Sequence, residues 1–161
     1  MATNLEFITS ASADNVSALE LTNCFNNNYD VYEMYWTGNG SQNVGDLSWK
    51  YLDSGGSVFA NGNVDQATLR MIPSSSFVEI RDTNSNTPRG IYTGSSDKDF
   101  AMKFVFFNPF SSDYKFALMQ GMSLYGGKSI FVQKDTTVAY GIRLQANQNF
   151  TPVNVSVYGV K

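Results

Sequence analysis

Apolar and polar residues alternate with a period of two along most of this chain. The clearest case is residues 100–107, FAMKFVFF. Phe100, Met102, Phe104 and Phe106 fall on one side of an extended backbone, and Ala101, Lys103, Val105 and Phe107 on the other. Successive side chains of a strand point to opposite faces, so this stretch predicts a strand with both faces largely covered. Residues 47–52 put Leu47, Trp49 and Tyr51 in phase, and residues 66–72 set Ala67, Leu69 and Met71 against Thr68 and Arg70. Strand-like stretches also occupy residues 4–9, 16–22, 29–36, 76–82, 114–126, 130–134 and 137–145.

The C-terminal residues 141–161, GIRLQANQNFTPVNVSVYGVK, read as a hairpin. Ile142 and Leu144 alternate with Arg143 and Gln145, and the polar run 147–149 has turn chemistry. Val153, Val155 and Val157 then alternate with Asn154, Ser156 and Tyr158. Two alternating runs around an Asn-rich turn predict paired strands, the second ending inside the sheet and leaving no free tail.

Turn clusters separate the strands: TGNGSQNVGD at 37–46, DSGGS at 53–57, NGN at 61–63, the serines after Pro73, TNSNTPRG at 83–90, NPFSSD at 108–113 and YGGKS at 125–129. No segment holds helical periodicity over ten residues. Residues 12–21 could start a helix capped by Asp14, but Ser, Asn and Val16 disfavour it. About ten strands at spacings of roughly 8–15 residues predict an all-β fold, an antiparallel jelly-roll-like β-sandwich with little or no helix. With no linker, composition shift or repeat, residues 1–161 form one such domain.

Composition agrees with many strands and loops. Charged residues make up 16% of the chain, against roughly 25% in an average globular domain. Asn, Ser, Thr and Gly together supply 58 of the 161 residues, and all four favour turns or strand ends. The net charge of −3 offers no basic patch to neutralise phosphates, which argues against a nucleic-acid partner. No apolar run approaches the roughly 20 residues of a membrane helix, so membrane insertion is not expected. The N-terminus shows no basic and apolar signal segment. The single cysteine, Cys24, excludes an internal disulfide and reads as a small buried apolar residue, in keeping with synthesis in a cytoplasm.

The chain has no histidine. That removes the commonest general base, the His-dependent nucleophile constellations and His-containing metal sites, and one cysteine cannot build a zinc site. No catalytic residue, metal site or cofactor is expected. Carboxylates could still serve a glycosidase, but Glu33, Glu79, Asp97 and Asp99 read as strand and loop acids. Asn61, Asn63 and Asp65, and again Asp97 and Asp99, space oxygen ligands two apart without the distal acid of a calcium loop. The triplets at Asn15, Asn39, Asn149 and Asn154 match a glycosylation acceptor, as expected by chance in so Asn- and Ser-rich a chain. Exposed aromatic rings can stack on sugars. Trp36 borders a Gly/Asn loop containing Asn39, and the three candidate carbohydrate-binding residues are Trp36, Asn39 and Trp49. The phase of Trp49 with Leu47 and Tyr51 argues equally for burial.

Several segments together resemble a family of small all-β domains of bacteriophage virion proteins. The opening LEFITSASADN leads to Phe25, Tyr29, Asp30 and Tyr32, which match the family's aromatic element. Residues 104–116, with Asn108 and Pro109, look like its aromatic strand and Asn-Pro turn. The ending YGIRLQANQNFTPVNVSVYGVK is similar to its C-terminal strands, with Pro152 where the family usually has Gly or Ser. The resemblance implies a jelly-roll-like unit on the virion, made in the host cytoplasm, homo-oligomeric (trimer favoured) and in contact with other virion proteins of capsid or tail. The function it implies is a non-enzymatic capsid decoration or knob on the particle's outer surface. The alternative is a tail-associated receptor-binding module that grips host surface glycans. No fibrous stem or attachment arm is visible in the sequence.

Overall fold

Trp49 and Phe104 meet edge to face at the centre of the molecule, ring centroids 6.0 Å apart. They come from different layers, and their contact shows how the alternating faces close on one another. The computed structural model describes residues 4–40, 46–60, 63–72, 77–92, 98–123 and 125–161. Among these are eleven strands and no helix: β1 (Leu5–Ala13), β2 (Val16–Leu21), β3 (Val31–Gly40), β4 (Asp46–Leu52), β5 (Val64–Met71), β6 (Phe77–Ser85), β7 (Arg89–Tyr92), β8 (Lys98–Phe107), β9 (Lys115–Met122), β10 (Gly126–Gln133) and β11 (Gly141–Val160).

Every described strand pair is antiparallel. The larger layer runs β6-β5-β10-β9-β8-β3 and continues through the second half of β11 to β1. The smaller runs β2, the first half of β11, β4 and β7. The expected all-β, jelly-roll-like sandwich is what the chain forms.

The 20-residue strand β11 joins the layers, and it corrects the hairpin expected at the C-terminus. Its two halves do not pair with each other. Gly141–Gln145 lies between β2 and β4, while Val153–Val160 lies between β1 and β3. The inward phase switches from even residues (Ile142, Leu144, Phe150) to odd ones (Val153, Val155, Val157) across a register break that includes the cis Thr151–Pro152 bond. A strand that changes sheets through an irregular corner gives the same alternation as a hairpin, because both separate two in-phase runs by a polar gap.

Other boundaries moved as well. β3 runs on through Thr37–Gly40, which read as loop, because β8 supplies partners as far as Lys98. Residues 41–45 of that expected loop, 61–62 of the NGN turn and the serine run 73–76 lie outside the described residues. Between β9 and β10 the Ser123 amide donates to the Tyr125 carbonyl at 3.0 Å, and β10 begins at Gly126, so most of the YGGKS stretch is strand. β7 fell in a stretch read as loop and its flank.

The core is aromatic. Trp36, Trp49, Tyr51, Phe100, Phe104, Phe106, Phe131 and Phe150 are buried, and most pairs meet edge to face, the arrangement their ring quadrupoles favour. The buried ammonium of Lys115 donates to the carbonyl oxygens of Asp113 and Asp135, at 3.0 and 3.1 Å.

The residues that carried the family resemblance form one knot at one end of the larger sheet. Phe25, Tyr29 and Tyr32 stack edge to face. The Asn108 amide donates to the Asp30 carbonyl at 2.7 Å, and Gly159 of β11 lies under the Tyr29 ring. These aromatic and turn residues therefore build the fold.

Candidate functional site

The strand β5 presents an inversion. Gln66 and Thr68 point inward and are buried, whereas Leu69 and Met71 are exposed. The polar pair is satisfied inside. Thr68 shares a 2.8 Å hydrogen bond with Ser129 of β10, and Gln66 donates to Asp82 and accepts from the Arg89 amide. With the polar positions taken inward, the alternation pushes the apolar ones out to solvent.

The same happens on neighbouring strands, so the outer face of the larger sheet carries apolar residues in rows across its hydrogen-bonded neighbours, with one largely polar row among them. One row runs Arg81, Ala67, Ile130, Leu118, Val105, Glu33 from β6 to β3. On one side of it lies Glu79, Leu69, Lys128, Gln120, Lys103, Tyr35, followed by Phe77, Met71, Gly126, Met122, Ala101, Thr37. On the other side lies Asp65, Val132, Phe116, Phe107. Phe77 and Met122 are 70% and 68% exposed, Ile130 55% and Leu118 45%. A groove of about 660 Å³ crosses these strands between β6 and β8. A contiguous exposed apolar surface on a soluble domain marks an interaction site.

Charges sit at both ends of the central row and also within the row beside it, at Lys128 and Lys103. Lys103 Nζ donates to Glu33 Oε1 at 2.6 Å, and the Tyr35 hydroxyl donates to Glu33 Oε2 at 2.8 Å. Partial burial pushes the Glu33 carboxyl up, but these two hydrogen bonds and the Lys103 charge outweigh it and hold the group below its ordinary range. The hydrogen bond to Glu33 in turn raises Lys103.

Further along the same face, where β1, β11 and β3 adjoin, the surface turns polar. Ser10, Ser12, Thr37, Asn154 and Ser156 surround Tyr35 in a shallow groove of about 390 Å³. None of these five side chains hydrogen-bonds another described residue, and the Tyr35 ring packs edge to face on Tyr158.

The candidate carbohydrate-binding residues are not brought together, and two of them are corrected. Trp36 is fully buried between Phe100, Phe104 and Phe150, and Trp49 is 1% exposed. The extension of β3 past Trp36 is the reason: the residue sits mid-strand on the inner face and not at a loop margin. Asn39 lies on β3, its amide held by Asp99 at 3.0 Å across the β3–β8 pair.

The acids are likewise dispersed. Glu33 and Glu79 share the outer face but stand five strand spacings apart, roughly 24 Å along the sheet, far beyond the 5–9.5 Å of a glycosidase pair. Asp65 accepts from the Asn84 amide and from Lys134, each at 2.9 Å, so its oxygens serve the β5–β6 bulge. Asn61 and Asp97 lie outside the described residues. Among the described residues no group of three or more His, Cys, Asp or Glu could hold a metal ion. Cys24 is buried, and its thiol is pushed up to about 12 by desolvation.

No family model matches this chain, and no curated protein does. Among solved structures it is similar to the Caenorhabditis elegans galectin LEC-6, at 8% identity and a TM-score of 0.42, over 90% of this chain and 95% of that one. It is also similar to part of a bifunctional GH43-CE protein of Bacteroides eggerthii, at 8% identity and a TM-score of 0.40, and to part of the Clostridium perfringens CspB protease, at 12% and 0.33. It covers 90% and 96% of itself in these two, but only 22% and 26% of those chains. Likeness at this level carries no functional argument, and the class of the protein rests on its own strands and faces.

Proposed function

We propose that this chain is a non-enzymatic structural protein of a phage particle, displayed on the virion's outer surface and working by protein–protein association. The observation that carries the associative part is the exposed apolar face of β5, β10, β9 and β8, whose burial would stabilise a contact by about 25 cal/mol per Å² of apolar surface removed from water. The phage setting rests on the resemblance of Phe25, Tyr29, Asp30, Tyr32, Asn108 and Pro109 to virion domains. Immunogold electron microscopy of purified particles tests the reading. Label on the capsid or at a tail attachment point is expected, and particles free of label and of the protein would overturn it.

A second reading, a tail-associated module that binds host surface glycan, is favoured by the polar groove around Tyr35. Its unengaged hydroxyls and the Asn154 amide can serve sugar hydroxyls, its aromatic ring can meet a C–H face, and many copies would add avidity. On this reading Tyr35→Ala with Asn154→Ala removes attachment of the protein to host cells. Unchanged attachment would eliminate it.

A further inference from the structure

The charges on the outer face follow an order that a two-fold rotation inverts. In the row Arg81, Ala67, Ile130, Leu118, Val105, Glu33, a positive end and a negative end bracket four apolar residues. Resting on the associative reading above, we propose that this face pairs with the same face of a second copy of the chain. The two-fold axis runs along the strands, between β9 and β10.

That rotation exchanges β6 with β3, β5 with β8 and β10 with β9. It sets Arg81 against the second copy's Glu33, Glu79 against its Tyr35 with Lys103 beside it, Leu69 against its Lys103 and Lys128 against its Gln120. The centre is apolar on apolar: Ile130 meets the second copy's Leu118, Ala67 its Val105, and Val132 its Phe116. Met122, 68% exposed, falls opposite Gly126, over which the chain's own Met71 and Met122 side chains already lie, so the methionines of the two copies pack on one another there. No like charges stand opposite one another in these rows. Because the contact is isologous, each pair occurs twice. Two twisted sheets packed face to face keep their strands within about 30° of each other at roughly 10 Å, and this arrangement uses that geometry.

The size is adequate. The five spacings of about 4.8 Å between six strands and three two-residue steps of about 6.7 Å give a backbone footprint near 500 Å². Flanking side chains extend it towards the roughly 800 Å² per partner of a standard stable interface. Arg81 and Glu33 each have a partner in their own chain, Glu79 at 3.3 Å and Lys103 at 2.6 Å, and in the pair each would share that partner with the opposite charge of the second copy. The pair, and not the trimer that the sequence resemblance implies, is then the unit in solution.

The test uses the full chain in solution. Analytical ultracentrifugation is expected to give twice the 17.8 kDa chain mass, and Ile130→Asp, at an exposed position, to raise the dissociation constant at least a hundredfold, about 2.7 kcal/mol, with an unchanged circular dichroism spectrum. For the register, Arg81→Cys and Glu33→Cys variants are oxidised separately and mixed. Only the mixture is expected to form a covalent dimer, because equivalent positions lie on opposite edges of the face. A monomer at high concentration, an oligomer indifferent to Ile130→Asp, or a dimer without the mixed cross-link each overturns the pairing. None of these outcomes bears on the immunogold result, so the proposed function stands or falls separately.

Discussion

Gly159 lies directly beneath the ring of Tyr29. A Cβ at residue 159 would fall 2.5 Å from the ring carbons, a distance no real contact allows. The ring cannot easily withdraw, because Tyr29 is wedged edge to face against Tyr32. Gly159→Ala is therefore expected to destabilise the protein by about 1–3 kcal/mol through overpacking. Gly56→Ala is the comparison. It meets nothing within 4 Å but has φ +78°, so its loss is conformational and about 1 kcal/mol. Urea unfolding midpoints measure both. An unshifted midpoint for Gly159→Ala would mean the ring moves aside freely.

Trp36 was the leading candidate for sugar stacking in the sequence, and the structure turns its substitution into a stability experiment. Trp36→Ala removes a fully buried ring from three aromatic neighbours, with an expected loss of about 3–5 kcal/mol. A thermal melt is sufficient to check it. A melt like that of the parent chain would put the indole outside the core after all.

The Glu33–Lys103 pair gives stability a defined pH dependence. Glu33 is held below its ordinary value near 4.5, so its contribution is present above that value and lost as pH falls through the lower folded one. Lys103 is raised above its ordinary 10.5, so its contribution is present below that value and lost as pH rises through the higher folded one. The lysine is 42% exposed, which limits the pair to about 1 kcal/mol or less. In Glu33→Gln both limbs of the stability–pH curve should flatten by that amount. A curve superimposable on the parent's would show the pair contributes nothing.

Cys24 is sealed in the core and its thiol is raised to about 12, so the thiolate that reacts is scarce at neutral pH. The folded chain should resist an alkylating reagent for hours and react stoichiometrically in denaturant. Rapid labelling of the folded chain would show that the region around Leu21 and Ile142 opens locally.

Much of the sandwich was legible before any coordinates. Phe100, Met102, Phe104 and Phe106 point inward as their alternation implied, and so do Leu47, Trp49 and Tyr51. Alternation reports the existence of two faces, however, and does not say which is the inside when both are partly apolar. Hence Ala67, Leu69 and Met71 gave no sign that they face solvent while Gln66 and Thr68 are buried, since that depends on Ser129, sixty-one residues away from Thr68. Trp36 was misplaced because the Gly/Asn residues after it signalled a loop, whereas pairing with β8 holds them extended. The outer-face groove draws on five strands and had no local signature. One trace did exist: the apolar residues of 114–122 are too many for a single inward face.

The long β11 strand also governs when this protein can fold. Its two halves are the hydrogen-bonded neighbours of β1, β2, β3 and β4; β3 also pairs with β8 and β4 with β7, whereas among the described residues the strand pairings of β1 and β2 are with β11, so these two wait for residues 141–160. On the ribosome, the two layers are joined only once residues 141–160 have emerged, and until then β1 and β2 carry unpaired edges. Such dependence on distant partners makes folding slow, and it makes an interrupted chain a hazard for aggregation instead of a half-built domain.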